Sequence, residues 1–220
     1  MPAVILSLAP PYLSPMYTPA HFRQDDRAAQ LAFMRQHPFA TMVNAVPGAA
    51  PVASHLPFVV EERGNEVWLV AHLARANRQW ELFAAAETLV IFQEPHAYIS
   101  PRWYDKERSV PTWNYVAVHA YGRPRIHDDE AAVFQNLEKL ILQSEPAYRE
   151  HWNRLPMEYK TGMIKGLVAF DIKVERLEGK EKLSQNRSEN EIRQIIAGLE
   201  QSTLSGDRQM AALMREKYQP

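Results

Sequence analysis

Two stretches hold the residue types able to do chemistry. The first is Ala71-His72-Leu73-Ala74-Arg75-Ala76-Asn77-Arg78-Gln79-Trp80. Asn77 is a sound N-cap, and a strand running straight into a capped helix turns backbone N–H groups outward at the helix start. With Arg75 and Arg78 beside them, these groups make a candidate phosphate cradle. A solvated helix start with two surface arginines explains the same residues equally well. The second stretch, Tyr98 to Tyr115, holds Trp103, Trp113, Tyr104 and two prolines. A segment this aromatic and stiff either pads a core or lines a site for a flat ligand, and padding is the commoner fate of a buried aromatic.

Ser54-His55 adds a polar pair inside an otherwise apolar strand. A phosphate subsite near aromatic walls suits a flat, phosphorylated heteroaromatic molecule. Flavin mononucleotide (FMN) fits that description, and so do others. Other chemistries are absent. The 220 residues contain no Cys, which excludes disulfides, thiol catalysis and Cys-based zinc sites. The eight His are scattered, without the i,i+4 pair of a metalloprotease helix. Gly-x-Ser-x-Gly, Walker and Gly-x-Gly-x-x-Gly patterns are missing. A formal charge of -1 gives no global field for nucleic acid or an anionic membrane. The consecutive helices over 128–164 are broken by Pro146 and Pro156 and lack a basic face, so DNA readout has weak support. The basic run Lys180 to Arg187 reads as a solvated segment.

The elements that must position these residues follow from periodicity and punctuation. Asp25 or Asp26 caps a helix over 27–36, which Pro38 stops. Strands are predicted over 39–46, 52–60, 66–73, 87–93, 115–126 and 166–177, with turns at Pro47-Gly48 and Gly64. Helices are predicted over 78–85, from Asp128 or Asp129 to 144, and over 157–164. Ser188 with Glu191 makes a capping box for a helix to about 199. The amphipathic stretch 207–217 reads as a loosely held tail or a dimer contact. Residues 1–15 read as a flexible arm, 16–200 as the folded domain and 201–220 as a helical tail. Short sequential strands with helices gathered around them imply an α+β class, a small β-barrel or strongly curved sheet with helices outside.

Several stretches resemble the PaiB family of bacterial proteins. They are Met16-Tyr-Thr-Pro-Ala-His-Phe, Ser54-His-Leu-Pro-Phe, His72-Leu-Ala-Arg-Ala-Asn77, Phe92-Gln-Glu-Pro-His-Ala-Tyr-Ile-Ser-Pro-Arg-Trp-Tyr104, Val110-Pro-Thr-Trp-Asn-Tyr115 and Lys182-Leu-Ser-Gln-Asn-Arg187. The resemblance runs from Met16 to about Leu199. Arg78 departs from it, standing where the family has Pro. The resemblance implies an FMN-binding split β-barrel, similar to flavin reductases and pyridoxamine-phosphate oxidases. It also implies a homodimer with two flavin sites at the subunit interface, and the absence of Cys is compatible with a reducing, cytoplasmic setting. In that reading Arg75, Asn77 and Arg78 face the phosphate, and Ser54, His55 and His72 the ribityl chain or ring edge. Trp103, Trp113 or Tyr115 walls the ring, and Lys182 to Asn186, with Gln185 among them, reach in from the same or the other subunit. The family's label is negative regulation of sporulation and protease genes. Two functions therefore stand side by side, a flavin-dependent oxidoreductase and a repressor acting through DNA or protein with a vestigial flavin site.

Overall fold

Side-chain caps set the starts of the three helices that the sequence marks most clearly. The computed structural model describes residues 16–218, so the expected arm over 1–15 lies outside the described residues. Asp26 accepts from Ala28 N and Ala29 N at the start of α1 (Arg27–Gln36). Asp129 accepts from Ala132 N at the start of α2 (Glu130–Ser144). Two short helices follow, α3 (Arg149–Arg154) and α4 (Met157–Ile164). The Ser188–Glu191 capping box opens α5 (Glu189–Glu200), and α6 (Ser205–Tyr218) closes the described chain. None of these helices is long and apolar enough to cross a membrane.

The strands are β1 (Arg23–Gln24), β2 (Phe39–Asn44), β3 (Val52–Pro57), β4 (Val59–Arg63), β5 (Glu66–Ala74), β6 (Thr88–Ile99), β7 (Thr112–Ile126) and β8 (Leu167–Lys182). They form one antiparallel sheet in the order β3-β2-β6-β7-β8-β5-β4, with β1 on β8. β3 and β4 are consecutive in the chain yet lie at opposite edges. The sheet therefore curls until its edges meet at Phe58, making a split barrel. The single strand expected over 52–60 is broken at that residue. Phe58 turns into the barrel, fully buried against Phe92 and Phe170 at ring distances of 6.0 and 6.5 Å.

Alternating residues of every long strand fill the barrel, among them Leu69, Ala71, Leu73, Val90, Phe92, Val118, Ala120, Phe170 and Ile172, with Leu31 and Met34 of α1. A second core lies beyond it. Ala97, Ile99, Val116 and Leu183 pack there against Ile192, Ile195, Ile196 and Leu199 of α5 and Met210, Ala211 and Met214 of α6. The stretch read as loosely held is thus a docked helix. Burying each such methionine stabilises by roughly 1.5–3 kcal/mol.

Three strands outrun their predicted ends. β6 continues through Pro95 across a register shift between Gln93 and His96. The ends of the aromatic segment then pair as strands, Tyr98 with Trp113 and Ile99 with Thr112, leaving 100–111 as the loop. β8 continues to Lys182, so the first three residues of the supposed solvated run, Lys180 to Lys182, are strand. The helix expected over 78–85 is a 3₁₀ turn, Arg78–Leu82.

Candidate functional site

The residues singled out by sequence fall in three places. At the barrel mouth, Asn77 does what its type predicts. Its Oδ1 accepts from Gln79 N at 3.1 Å, and its Nδ2 donates to Ser54 Oγ at 2.8 Å. Behind it, the Gln79 amide donates to Asn44 Oδ1 at 3.0 Å and Met42 O at 3.1 Å, and Asn44 donates to Thr88 Oγ1 at 2.7 Å. This buried network fixes the turn to β2 and β6. Arg78 is 79% exposed and pairs with Glu81 at 2.8 Å. His55, on the opposite side of β3 from Ser54, is exposed.

His72 and Arg75 lie elsewhere. Ala71 and Leu73 face the barrel core, so His72 faces the other side of β5, where Asn136 of α2 donates to Ala71 O at 3.0 Å. Its Nδ1 is buried without a protein partner, and burial holds the imidazole below its ordinary pKa. Arg75 donates through Nε to Lys165 O at 2.9 Å and through Nη2 to Leu167 O at 2.7 Å. The Lys165 carbonyl lies at the C-cap of α4, where backbone acceptors lack helical partners, and Leu167 opens β8. Arg75 is therefore a cap for α4, with only its remaining N–H groups left for a ligand.

The third place is the extension formed by the far ends of β6, β7 and β8. Ala97 and Ile99 face the second core, so His96 and Tyr98 point outward, and Trp113 and Tyr115 stand opposite them on β7. Tyr98 meets Trp113 edge-on at 5.9 Å, and His96 lies 6.1 Å from the same indole. Trp113 is 53% exposed and Tyr98 45%. Lys182, paired with Tyr115, donates to Trp113 O at 2.8 Å and to Thr112 Oγ1. Burial first, then the charges of Lys180 and Arg187, hold its ammonium below the usual lysine pKa. Gln185 is turned back onto its own segment, accepting from Leu183 N at 2.8 Å and donating to Glu181 O. Asn186 is exposed. Between them Ser184 adopts φ 68°, a left-handed conformation that Ser rarely takes, and is held by two bonds with buried Asn114, of 3.0 and 3.2 Å.

Trp103 sits apart from this face. Its indole packs on Gly198 of α5, and the loop that carries it is pinned by Asp105, which accepts from Asn190 Nδ2 at 2.7 Å and from Ser188 Oγ at 3.2 Å. Between this loop, the β6–β7 extension and the α5–α6 corner lies a cleft of about 1280 Å³. Trp103, Trp113, Tyr98, His96 and Arg102 line it. His96 and Tyr98, which line this cleft, were not among the candidate site residues read from the sequence. The outward alternation of His96 and Tyr98 against Ala97 and Ile99 was the available signal, hidden by Pro95.

One more surface matters. Thr41 and Val43 of β2, Leu89 and Ile91 of β6 and His119 of β7 point away from the barrel core and are half-buried. Beside them Tyr121 donates to Glu178 Oε2 at 3.2 Å, and burial with the Glu178 charge pushes its phenol up to about 12. On β6 this face is interrupted by exposed Gln93 and the register shift before His96, while on β7 it passes through Ala117 to Tyr115 and Trp113.

A curled antiparallel sheet closed at one kink, with helices docked around it, is the architecture of the flavin-binding split barrels. It superposes on the flavocytochrome Anf3 from Azotobacter vinelandii with a TM-score of 0.57 at 17% identity, over 73% of this chain and 69% of that one. The FAD and heme binding protein from Mycobacterium smegmatis gives 0.57 at 15% identity, over 73% of both chains. Residues 16–176 match the family model described as "Putative FMN-binding domain". "Protease synthase and sporulation protein PAI 2" of Bacillus subtilis (strain 168) is 38% identical over 210 residues, covering 92% of this chain and 98% of that protein. The chain belongs to the PaiB family of FMN-binding split-barrel proteins.

Proposed function

We propose that the protein binds FMN against the outer face of the β6–β8 extension, as a homodimer joined through the apolar face beside it. The observation that carries this reading is the exposed Tyr98–Trp113 pair, carried on the same two strands, β6 and β7, as the half-buried outward residues Leu89, Ile91 and His119. Exposed aromatic surface in register with an apolar patch is what a planar ligand and a second copy would both bury. Trp113, Tyr115 and Lys182 would hold the flavin within one copy. Ser54, His55 and Asn77, at the barrel mouth, lie apart from them in a single chain, and pairing two copies across the face would supply them. A bound flavin supplies one- or two-electron transfer, and the protein supplies orientation and exclusion of water. A cytoplasmic setting belongs to the same reading and rests on the cysteine-free composition.

The test is a titration of the purified protein with FMN, followed by quenching of flavin fluorescence, alongside mass measurement by light scattering. Saturable quenching by a dimer is expected. A colourless monomer that leaves FMN fluorescence unchanged refutes the proposal. The relative from Bacillus subtilis carries a sporulation and protease name, and we read the present chain as a regulator whose signal is the flavin or its redox state. Helices α3 and α4 carry Arg149 and Arg154 with Glu150 and Glu158, and their third cation, Lys160, is buried over Trp152, so they offer no phosphate-binding stripe. A gel shift at low salt that fades steeply as salt rises would instead favour direct DNA contact.

A further inference from the structure

A second cavity, of about 400 Å³, opens between α1 and α6. Its floor includes Val116 and Val118, which alternate with Tyr115 along β7 and so face the other side of the sheet. Val116 belongs to the second core and Val118 to the barrel core, so the cavity lies where the two adjoin. Ala29, Ala32 and Phe33 recur at helical spacing on the α1 wall, to one side of Leu31 and Met34, which enter the barrel. Leu213 faces them from α6. The two alanines are too small to close the gap. Phe33 and Leu213 are therefore only half-buried, with apolar surface left to cover.

The charged residues lining this cavity are Lys180, Glu181, Glu216 and Lys217, two of each sign, and Glu181 pairs with Lys217. Such a lining gives no net field to hold an ion. Its buried polar group is an amide. Gln30 lines the cavity and is 5% exposed. Its Nε2 donates to Gln24 O at 2.6 Å, which fixes the nitrogen end of the amide. A Cβ at position 179 would lie 2.5 Å from that oxygen and 2.8 Å from Nε2, so Gly179 is what lets the pair sit against β8. Gln30 Oε1 accepts from no described residue and is not sealed from solvent. One N–H of the amide is also left over. Gln30 lines a smaller hollow on its other side as well.

We propose that this cavity binds a small neutral phenol, with its ring against Phe33 and Leu213 and its hydroxyl on the Gln30 amide. A hydroxyl both donates and accepts, so it satisfies whichever end of the amide meets it. Water satisfies the amide too, but it leaves the apolar walls uncovered. An apolar cavity of about 150 Å³ is enough to hold benzene, so one substituted ring has room here. The site is separate from the flavin face and does not depend on flavin binding.

The probes are phenol itself and toluene, which has nearly the same shape without the hydroxyl. Each is titrated into the isotope-labelled full chain while the amide resonances of α1, α6 and Val116 are followed. Phenol should shift them saturably. Ala32→Leu, made at an exposed helix position, fills the cavity and should weaken phenol at least about tenfold. Ala28→Leu, exposed on α1 outside the cavity, should leave binding unchanged and controls for a general effect on the helix. Toluene should bind no more tightly than phenol, because a cavity without a polar partner would penalise the hydroxyl. Gln30→Met keeps the bulk, removes the amide and should reverse that order. Phenol shifts that do not saturate, shifts that survive Ala32→Leu, or toluene as the tighter ligand of the wild type overturn the proposal.

Discussion

Replacing Gly198 by Ala sets two effects of known sign against each other. Gly198 lies inside α5, where Ala is favoured over Gly by about 1 kcal/mol. Propensity alone therefore predicts a more stable protein. The tertiary structure predicts the reverse. A Cβ built at Gly198 would lie 2.5 Å from Cζ2 of Trp103 and closer still to Cε2 and Nε1. Carbon atoms in good contact stand about 3.5–4.0 Å apart, so helix and indole must separate by roughly 1 Å. Neither is a free end. The indole belongs to a loop tied to α5 by Asp105, and the neighbouring Ile195, Ile196 and Leu199 are fully buried. Overpacking of this kind costs about 1–3 kcal/mol, so the net change should lie near 0–2 kcal/mol of destabilisation. For a chain of this length that is a fall of up to roughly 8 °C in melting temperature, measured by calorimetry. Intrinsic Trp fluorescence should shift with it, as the indole loses its seat. A melting temperature that rises, with unchanged fluorescence, would show that Trp103 is not held by α5 and would refute the packing argument.

Other perturbations probe other parts of the fold. Met214→Ala, at a fully buried position of α6, should destabilise by about 2–5 kcal/mol in urea unfolding, whereas a loosely held tail would give almost no change. Arg75→Ala should weaken the docking of α4, seen as faster amide exchange over 157–166, while leaving FMN affinity within about threefold, because its guanidinium serves the Lys165 and Leu167 carbonyls at the junction of α4 and β8. Burial lowers the pKa of His37, His72 and His119, so the folded state binds fewer protons than the unfolded one below the ordinary histidine value. Their contribution to stability is present above about pH 6.5 and is lost as pH falls through the folded values. The urea midpoint should accordingly drop between about pH 7 and 5.5, and His72→Gln should remove part of that drop. A midpoint that rises on acidification would contradict the burial of these rings.

How much of this could be read from the chain depends on whether the signal is local. Asp26, Asp129 and Ser188 with Glu191 announce their helices within four residues, and those helices begin where expected. Gly64, at φ 62°, turns β4 into β5 as its residue type predicts. The failures need partners distant in sequence. Pro95 argues against a strand, yet β7 supplies pairing on both sides of it. Lys180 and Lys182 look like part of a solvated loop until β7 is placed beside them. Met210 and Met214 look too sparse to anchor a helix until Ile99 and Ile195 share the space. Arg75 beside Asn77 reads as half of a phosphate cradle, but its acceptors lie ninety residues on, at the end of a helix that carries no mark of needing it. Asn77 was legible because capping is local.

Three strands run unbroken from one hydrophobic core into the other, and Phe33 of α1 packs against both. The two cores therefore lack a seam along which one could melt alone. Free energy delivered to the extension by a ligand is shared through continuous backbone with the barrel. Heat denaturation then becomes a reporter for occupancy of a site that lies at the periphery, and any small molecule held there raises the melting point of the whole chain.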